Sequence, residues 1–340
     1  MAAVRRVAVV GAGVMGAEIA QAVAAARMDV VLVDANAEAL SHGRAHIEAI
    51  GARRVARGRL SETEASAILS RIATGDGAHA FGDCDVAIEA VTERMEVKHA
   101  VFAELDGALP AHALLASNTS GLSITALAER TGRPDRVLGL HFFNPASVMR
   151  LVEVVRGERT SDATVEEGLA FVADLGKTPV VVRECPGFLV NRVLCRALTA
   201  AYREAAGTGA DRAAADAAVV AAGPAPMGAF ALGDLIGLDT LGHIVRDLRE
   251  AYGDRFDDAG TVAAEVAAGR LGAKSGAGLL PEGAADAAPE PDDAARAVAS
   301  AYYAGARDEA ERCRDEGIAA EDDIATAMML GCGWEAGPLG

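Results

Sequence analysis

A histidine and a glutamate lie in two apolar segments that are close together in the chain. His141 follows an apolar run at residues 137–140, and Glu153 stands alone inside a second run at residues 151–155. A carboxylate that binds one imidazole nitrogen fixes the tautomer and stabilises the imidazolium once the other nitrogen accepts a proton. The two residues therefore predict acid–base chemistry in a cleft. Taken alone, they fit equally well a structural histidine in the core and a charge on an edge strand.

A glycine-rich turn near the start of the chain predicts a dinucleotide site. A β-branched strand at residues 7–10 leads into the turn, and an alanine-rich helix is predicted over residues 17–27. Gly11 permits a tight turn, Gly13 lets the backbone approach a pyrophosphate, and Gly16 lets the helix pack close to the strand. The helix presents N–H groups and the positive end of its dipole to the phosphates. The candidate cofactor-binding residues of this turn are Gly11, Gly13, Val14, Met15 and Gly16.

An acid at the end of the second predicted strand selects between two dinucleotides. This strand covers residues 30–33 and ends at Asp34. A carboxylate in this position accepts hydrogen bonds from a ribose 2′-hydroxyl and repels a 2′-phosphate. The sequence therefore predicts NAD rather than NADP. The alternative is a glycine-rich turn in an α/β protein of another kind.

Polar residues follow two later strands at the edge where a cofactor is expected. A buried strand at residues 85–91 precedes a helix at residues 95–105, and Glu93 and Lys98 lie close to the expected cofactor edge. The strand at residues 113–116 is followed by four small polar residues, Ser117, Asn118, Thr119 and Ser120. Open parallel sheets bind their ligands at the carboxyl ends of the strands. These residues are therefore candidates for contact with cofactor or substrate.

A cluster of arginines stands out in an acidic chain. A helical pattern covers residues 36–73 with an interruption near Gly58, and the segment RRVARGR lies within it. Arg53 and Arg57 share a helix face, and Arg59 follows them. The cluster predicts binding of a polyanion such as the phosphates of coenzyme A. A solvated basic helix face is an equally good interpretation.

Composition narrows the class of protein. At 340 residues, 51% of them hydrophobic, the chain is long enough for two domains. Its net charge of −17 argues against nucleic acid and membrane partners, since both require a basic surface. Five cysteines without a CxxC pair or a histidine cluster indicate a reduced, cytoplasmic protein with no metal site. The amino-terminal stretch imitates an export signal, but Glu18 and Gln21 interrupt its apolar run.

The order of predicted elements divides the chain into three parts. Strands and helices alternate over residues 1–184, which predicts a Rossmann-type, doubly wound, mostly parallel sheet. Helical patterns dominate residues 185–280 and predict an all-α domain. Residues 281–340 begin with a proline-rich linker and continue with a weak repeat of the helical domain. The repeat has an offset of 109 residues, which relates Gly228 to Gly337 and Ala218 to Ala327.

These motifs together resemble one enzyme family. GAGVMG, Asp34, SNTS, HFFNP, Glu153 and PGFLVNR occur in the order typical of the L-3-hydroxyacyl-CoA dehydrogenases, including the short-chain 3-hydroxybutyryl-CoA enzymes. The resemblance implies a Rossmann domain, a helical domain that forms a homodimer, NAD as oxidant, and a 3-hydroxyacyl thioester as substrate. The tail beyond residue 280 resembles a second, incomplete copy of the helical unit. Either the chain is shortened there or the fragment packs on the first copy.

The resemblance also implies roles for individual residues. His141 matches the family's catalytic histidine, and Glu153 matches the acid that orients it. Ser120 and Asn191 match residues that contact the substrate oxygen. Glu93, Lys98 and Asn144 fall on positions that contact the cofactor in the family. Asn118 is a further cofactor candidate because it follows the end of a strand. The candidates for binding the coenzyme A ester are Arg53, Arg57, Arg59 and Ser120.

Three alternatives to this function stay open from the sequence. The acyl group is carried by an acyl carrier protein in relatives that build polyketide extender units, and the substrate is a free hydroxy acid in gulonate-oxidising relatives. The segment SNTS favours a thioester. A third alternative is a catalytically silent protein that binds NAD and has a structural role.

Overall fold

The chain folds into two compact units, which are residues 1–184 and residues 185–340. The computed structural model describes residues 4–77, 80–281 and 289–340. Most of the predicted linker, residues 282–288, lies outside the described residues. Within the described ranges, none of the helices combines the length and apolarity that crossing a bilayer requires.

The first unit is built around one eight-stranded sheet. Its strand order is β3-β2-β1-β4-β5-β6-β7-β8, and every neighbouring pair is parallel except β6 with β7. The predicted doubly wound, mostly parallel sheet is therefore confirmed. The strands are β1 (Arg6–Val10), β2 (Asp29–Val33), β3 (Ile72–Gly75), β4 (Val86–Glu89), β5 (Leu114–Ser117), β6 (Val137–Phe142), β7 (Leu151–Arg156) and β8 (Thr178–Arg183).

In the described part of residues 1–184, six α-helices accompany this sheet, and four of them, α1, α4, α5 and α6, pack directly on its central strands. The central strands are buried on both faces, which explains their almost continuous runs of valine, isoleucine, leucine and alanine. The helices are α1 (Val14–Ala25), α2 (Ala37–Ala56), α3 (Glu62–Ser70), α4 (Met95–Ala108), α5 (Ile124–Ala128) and α6 (Asp162–Asp174).

One predicted helix is wrong at its carboxyl end. The helical pattern that was extended through residue 73 ends at Ser70, and the next residues form the edge strand β3. This strand is four residues long, and Ile72 is its one buried side chain. Its hydrophobic pattern is therefore too short to be distinguished from the end of a helix. Pairing with β2, a tertiary interaction, decides its conformation.

The second unit consists of helices. The hydrophobic pattern of residues 230–252 predicts one continuous helix. This prediction is wrong, because Gly237 takes a φ of +92° and divides the segment into two helices. A backbone with positive φ interrupts the helical hydrogen bonds, and glycine adopts it at little cost. The helices are α7 (Val190–Thr208), α8 (Arg212–Ala222), α9 (Ala229–Ile236), α10 (Leu238–Tyr252), α11 (Thr261–Ala267), α12 (Asp293–Asp315) and α13 (Glu321–Cys332).

The tail of the chain packs on the helical unit through α12. A Cβ built at Gly305 of α12 would lie 2.9 Å from the carbonyl oxygen of Arg196 in α7, so the two helices cross in close contact. Of the two possibilities for the tail, packing on the first copy is therefore the one that is observed. The boundary predicted near residue 280 falls within a single compact unit here. That residues 281–340 form a separate part of the chain stays a prediction.

Candidate active site

The carboxyl ends of five parallel strands, β1, β2, β4, β5 and β6, bring the candidate residues to one edge of the sheet. The chain runs outward from β1 through β2 to β3, then returns to place β4 on the other side of β1. The strand order therefore reverses between β1 and β4, and open sheets bind ligands in the crevice at such a point. The glycine turn follows β1, and the SNTS segment and His141 lie at the ends of β5 and β6.

The glycine turn fits a dinucleotide. Gly11 has a φ of +104°, and a Cβ there would clash with the backbone of Ala90. A Cβ at Gly16 would clash with the Gly11 carbonyl, whereas one at Gly13 meets no described atom within 4 Å. Gly13 therefore keeps clear the space that a pyrophosphate would occupy. Because α1 begins at Val14, its first N–H groups face that space.

Asp34 is held at the end of β2 by the backbone. One carboxylate oxygen accepts a hydrogen bond from the Ala12 amide at 2.8 Å, and the other accepts one from the Asn36 amide at 2.9 Å. The acid therefore fastens the glycine turn to the second strand. A carboxylate that is fixed in this way favours NAD, as the sequence predicts.

A buried ion pair stands directly behind this edge. The Lys98 ammonium lies 2.8 Å and 3.0 Å from the two carboxylate oxygens of Glu89, and both side chains are almost fully buried. Glu89 also accepts hydrogen bonds from the Ser117 hydroxyl at 2.6 Å and from the Val91 amide at 2.7 Å. These bonds tie the end of β4 to the end of β5 and to α4. Whether Lys98 also touches the cofactor stays a prediction.

Glu93 joins this ion pair to the SNTS segment. Its carboxylate lies 3.1 Å from the Lys98 ammonium and accepts hydrogen bonds from Thr119 and Ser120. Burial alone would raise the pKa of Glu93, but the Lys98 charge and these hydrogen bonds outweigh it and lower the pKa below its ordinary value. Glu93 is therefore an anion at neutral pH. It fixes the backbone of Ser120 and accepts from its hydroxyl at 3.1 Å.

His141 and Glu153 face each other across the antiparallel pair β6 and β7. They are directly opposite in register, so their side chains lie on the same face of the sheet. Nδ1 of His141 lies 2.5 Å from a carboxylate oxygen of Glu153, and Glu153 is fully buried. An ionised carboxylate only accepts hydrogen bonds, so a neutral imidazole that is bonded to it through Nδ1 has its proton on that nitrogen. The predicted contact between these residues is present.

The turn after β6 is fastened from two sides. The side-chain oxygen of Asn118 accepts the Phe142 amide at 2.9 Å, which links SNTS to β6. Beyond Asn144, the Ser147 amide donates to Glu18 of α1 at 2.9 Å. On the other side, the Lys177 ammonium donates to two backbone carbonyls of the turn at 2.6 Å each. Asn144 is exposed, and these hydrogen bonds hold the turn on which it lies in place.

Two further groups of candidates lie on α2 and α7. Arg53, Arg57 and Arg59 are exposed around the carboxyl end of α2. Asn191 lies in the first turn of α7 in the second unit. Their roles toward substrate stay predictions. In the described parts of the chain, no group of three or more side chains could hold a metal ion.

Sequence reasoning missed three residues that hold the site together. Glu89 is an acid inside the apolar run VAIEAV, the same signal that identified Glu153 inside LVEVV. An acid inside a buried strand requires a cation, and that requirement would have identified Lys98 as its partner. Glu18 interrupts an apolar run, but the sequence does not show that it binds the backbone of a distant turn, and Lys177 gives no local signal at all.

Known proteins of one family match this chain. The NAD-binding domain of 3-hydroxyacyl-CoA dehydrogenase matches residues 6–185, and the family's C-terminal domain matches residues 187–281. A 3-hydroxybutyryl-CoA dehydrogenase of Bradyrhizobium diazoefficiens is 41% identical over 280 residues, covering 82% of this chain and 95% of the relative. The fatty acid oxidation complex subunit alpha of Pseudomonas paraeruginosa is 39% identical to this chain. The match covers 81% of this chain and 39% of that subunit.

A solved structure agrees with these matches. The crystal structure of 3-hydroxybutyryl-CoA dehydrogenase from Escherichia coli K12 aligns with a TM-score of 0.91 at 31% identity, over 99% of this chain and 90% of that one. The fold and the site define an NAD-dependent oxidoreductase with a Rossmann-type domain. The chain belongs to the 3-hydroxyacyl-CoA dehydrogenase family.

Replacing Lys98 by methionine tests the buried ion pair. The variant leaves Glu89 without its cation in a site that excludes water, and we expect the free energy of unfolding to fall by about 3–5 kcal/mol. Urea denaturation followed by circular dichroism measures the change. The matched control is Arg94→Met, which removes a cation that is exposed beside Glu96 and should leave the free energy of unfolding nearly unchanged. Equal losses in the free energy of unfolding in the two variants would contradict the assignment of Lys98 and Glu89 as a buried ion pair.

Replacing Asp34 by alanine tests the basis of cofactor choice. Loss of the carboxylate removes an acceptor for the ribose and loosens the glycine turn, so we expect the Kd for NAD to rise about tenfold or more. Binding of NADP is expected to persist, because the repulsion of the 2′-phosphate is gone. Fluorescence titration with NADH and NADPH measures both affinities. The control is Asp29→Ala, at the exposed start of the same strand. An unaltered affinity for NADH in Asp34→Ala would remove Asp34 from this role.

Proposed function

We propose that this chain interconverts an (S)-3-hydroxyacyl thioester and the corresponding 3-oxoacyl thioester, with a short acyl group carried by coenzyme A. The observation that supports the proposal is the bonded pair of His141 and Glu153 at the end of β6, beside the SNTS segment. The 3-hydroxybutyryl-CoA relatives favour a short acyl chain. When bound, NAD supplies the hydride acceptor for this chemistry.

In the proposed mechanism His141 is the acid–base group. Nδ1 is engaged by Glu153, so Nε2 is the nitrogen that takes the proton of the 3-hydroxyl during oxidation. Glu153 holds the ring orientation and offsets the positive charge that the imidazole acquires. In the reducing direction the same nitrogen returns the proton to the 3-oxo oxygen. The protein serves the reaction mainly by holding these groups in position.

Ser120 and Asn191 are proposed to bind the substrate oxygens. The Ser120 backbone and hydroxyl are both held by Glu93, so the hydroxyl has a fixed position at the end of β5. Hydrogen bonds to an oxygen that gains negative charge in the transition state lower the barrier more than they aid binding. Asn191 is assigned the same role by its position in PGFLVNR.

The exposed arginines near the end of α2 are proposed to hold the phosphates of coenzyme A. Arg53, Arg57 and Arg59 concentrate positive charge in a chain whose net charge is −17. An anionic ester therefore needs a local basic patch. A homodimer through the helical domain and a cytoplasmic location remain predictions.

Replacing His141 by glutamine tests the central role in catalysis. The variant retains a hydrogen-bond donor toward Glu153 but lacks a proton acceptor, so we expect kcat to fall by about 10² to 10⁴ while the Kd for NADH is unchanged. The readout is NADH formation and consumption on a 3-hydroxyacyl-CoA and its 3-oxo form. The control is His99→Gln, which replaces a second histidine of the same unit. His99 contacts the Ala126 carbonyl, and its replacement should leave turnover unchanged. Normal turnover in His141→Gln would remove that residue from the mechanism.

A comparison of substrates separates the proposed carrier from its alternatives. With coenzyme A as carrier, kcat/KM on acetoacetyl-CoA exceeds that on the same acyl group bound to an acyl carrier protein. We also expect Arg57→Ala to raise KM for acetoacetyl-CoA more than for the pantetheine thioester, which lacks the nucleotide phosphates. A preference for the carrier protein, or for a free hydroxy acid, would replace coenzyme A in the proposal. NADH binding without turnover on any of these compounds would favour a structural role.

A further inference from the structure

Helix α12 belongs to a part of the chain that shorter relatives lack. The Bradyrhizobium enzyme matches 280 residues and is covered over 95% of its length, whereas α12 and α13 follow residue 289 here. In this chain α12 lies along α7, and the Tyr303 hydroxyl donates to the Val219 carbonyl of α8 at 2.8 Å. The additional helices therefore cover a surface formed by α7 and α8.

The additional helices repeat α7 and α8 in structure as well as in sequence. The offset of 109 residues carries α8 (Arg212–Ala222) onto residues 321–331, and α13 occupies Glu321–Cys332. A Cβ at Gly228 would clash with Asp216, and a Cβ at Gly337 would clash with Ala325, which is the residue that the offset assigns to Asp216. The same close approach of a turn to a helix therefore occurs twice. The tail is an internal second copy of the helix pair.

The two copies meet as the two halves of a symmetric interface do. Gly305 of α12 packs against the Arg196 carbonyl of α7, and the offset makes these two residues equivalent to each other. The contacts of Arg196 with Gly305 and of Arg192 with Glu309 show that α7 and α12 run antiparallel. Equivalent helices that cross antiparallel at equivalent residues are related by a two-fold axis, which is the arrangement of an isologous dimer. Helix α12 thus lies where the α7 of a second subunit would lie in a dimer formed through this face.

One strong interaction breaks this internal symmetry. Arg192 of α7 donates to Glu309 of α12 at 2.6 Å, and both side chains are fully buried. The offset relates Arg192 to Ala301 and Glu309 to Ala200, so the symmetric position has two alanines. The ion pair is therefore present on one side of the axis. The ion pair lies on the side of the axis where α7 begins, next to Asn191.

Glu309 also organises the turn that precedes α7. It lies 3.0 Å from the Arg255 guanidinium, while Arg192 has a second partner in Glu316 at 2.8 Å. The two guanidinium groups lie over the Tyr252 ring at 4.4 Å and 4.6 Å from its centroid. The Tyr252 hydroxyl in turn donates to the Pro186 carbonyl of the PGF segment. Two arginines and two glutamates thus form a neutral, mostly buried network around the start of α7.

We propose that Glu309 is a positioning residue, supplied by an internal copy in place of a second subunit, which fixes Arg192 and thereby the first turn of α7 with Asn191. The inference rests on the proposed function, because Asn191 acts on substrate only there. In a buried network, loss of one charge leaves the opposite charges uncompensated. The first turn of α7 then has several positions of similar energy, and Asn191 spends less time in the productive one.

The test is a double-mutant cycle with Glu309→Gln and Asn191→Ala, assayed well below the melting temperature. Glu309→Gln is expected to lower Tm by about 10 °C and kcat by about tenfold or more, with an unchanged Kd for NADH. In the Asn191→Ala background, Glu309→Gln should leave kcat unchanged while the Tm loss persists, because coupled residues are not additive. The control is Asp308→Asn, the neighbouring and more exposed acid, with wild-type kcat. Multiplicative losses of kcat in the double variant would overturn the proposal.

Hydrogen exchange supplies a readout that does not depend on turnover. We expect Glu309→Gln, and not Asp308→Asn, to increase amide exchange in the peptide that covers residues 186–193. Unchanged exchange there would overturn the positioning role of Glu309 whatever the activity. If the exchange increases but the wild-type protein turns over no thioester, the proposed function alone fails.

Discussion

The antiparallel pairing of β6 with β7 sets His141 opposite Glu153, and the candidate site depends on this register. In a parallel sheet, successive strands return through helices, so a strand that follows directly in the opposite direction is an exception to the pattern. Here it places two polar side chains on one face, inside strands that are otherwise apolar. A shift of one residue would turn one of them to the opposite face and leave the glutamate buried without a partner.

The requirement that a buried glutamate have a partner also applies at two further places in the molecule. Glu89 is buried in β4 and binds Lys98, and Glu309 is buried in α12 and binds Arg192. Glu89 lies in an apolar strand, as Glu153 does, whereas Glu309 lies in a helix rich in charged residues. Each of these acids fixes a cation of another element. Buried pairs of this kind contribute little net stability compared with apolar side chains of the same shape, but they are costly to break. They therefore specify which elements meet, and here they specify the ends of β4 and β5 and the start of α7.

The sequence predicts the parts of this structure whose signals are local. The glycine turn, Asp34 and the alternation of strands and helices each depend on a few consecutive residues, and each was confirmed as structure. The edge strand β3 was not predicted, since pairing with β2 determines it. The interruption at Gly237 was missed because glycine inside an apolar helical pattern is also compatible with a continuous helix. The contacts of Glu18 and Lys177 with backbone groups of a remote turn follow from tertiary structure alone.

The central claim is that a buried carboxylate holds the imidazole with its proton on Nδ1, so that Nε2 serves the substrate. The most direct test is ¹⁵N-edited NMR of histidine-labelled protein with NADH bound, with the His141 signals assigned by their loss in His141→Gln. The account predicts the Nδ1–H tautomer for the neutral ring of His141, and loss of that preference in Glu153→Gln. An Nε2–H tautomer in the wild-type protein, or a spectrum that Glu153→Gln leaves unchanged, would contradict it.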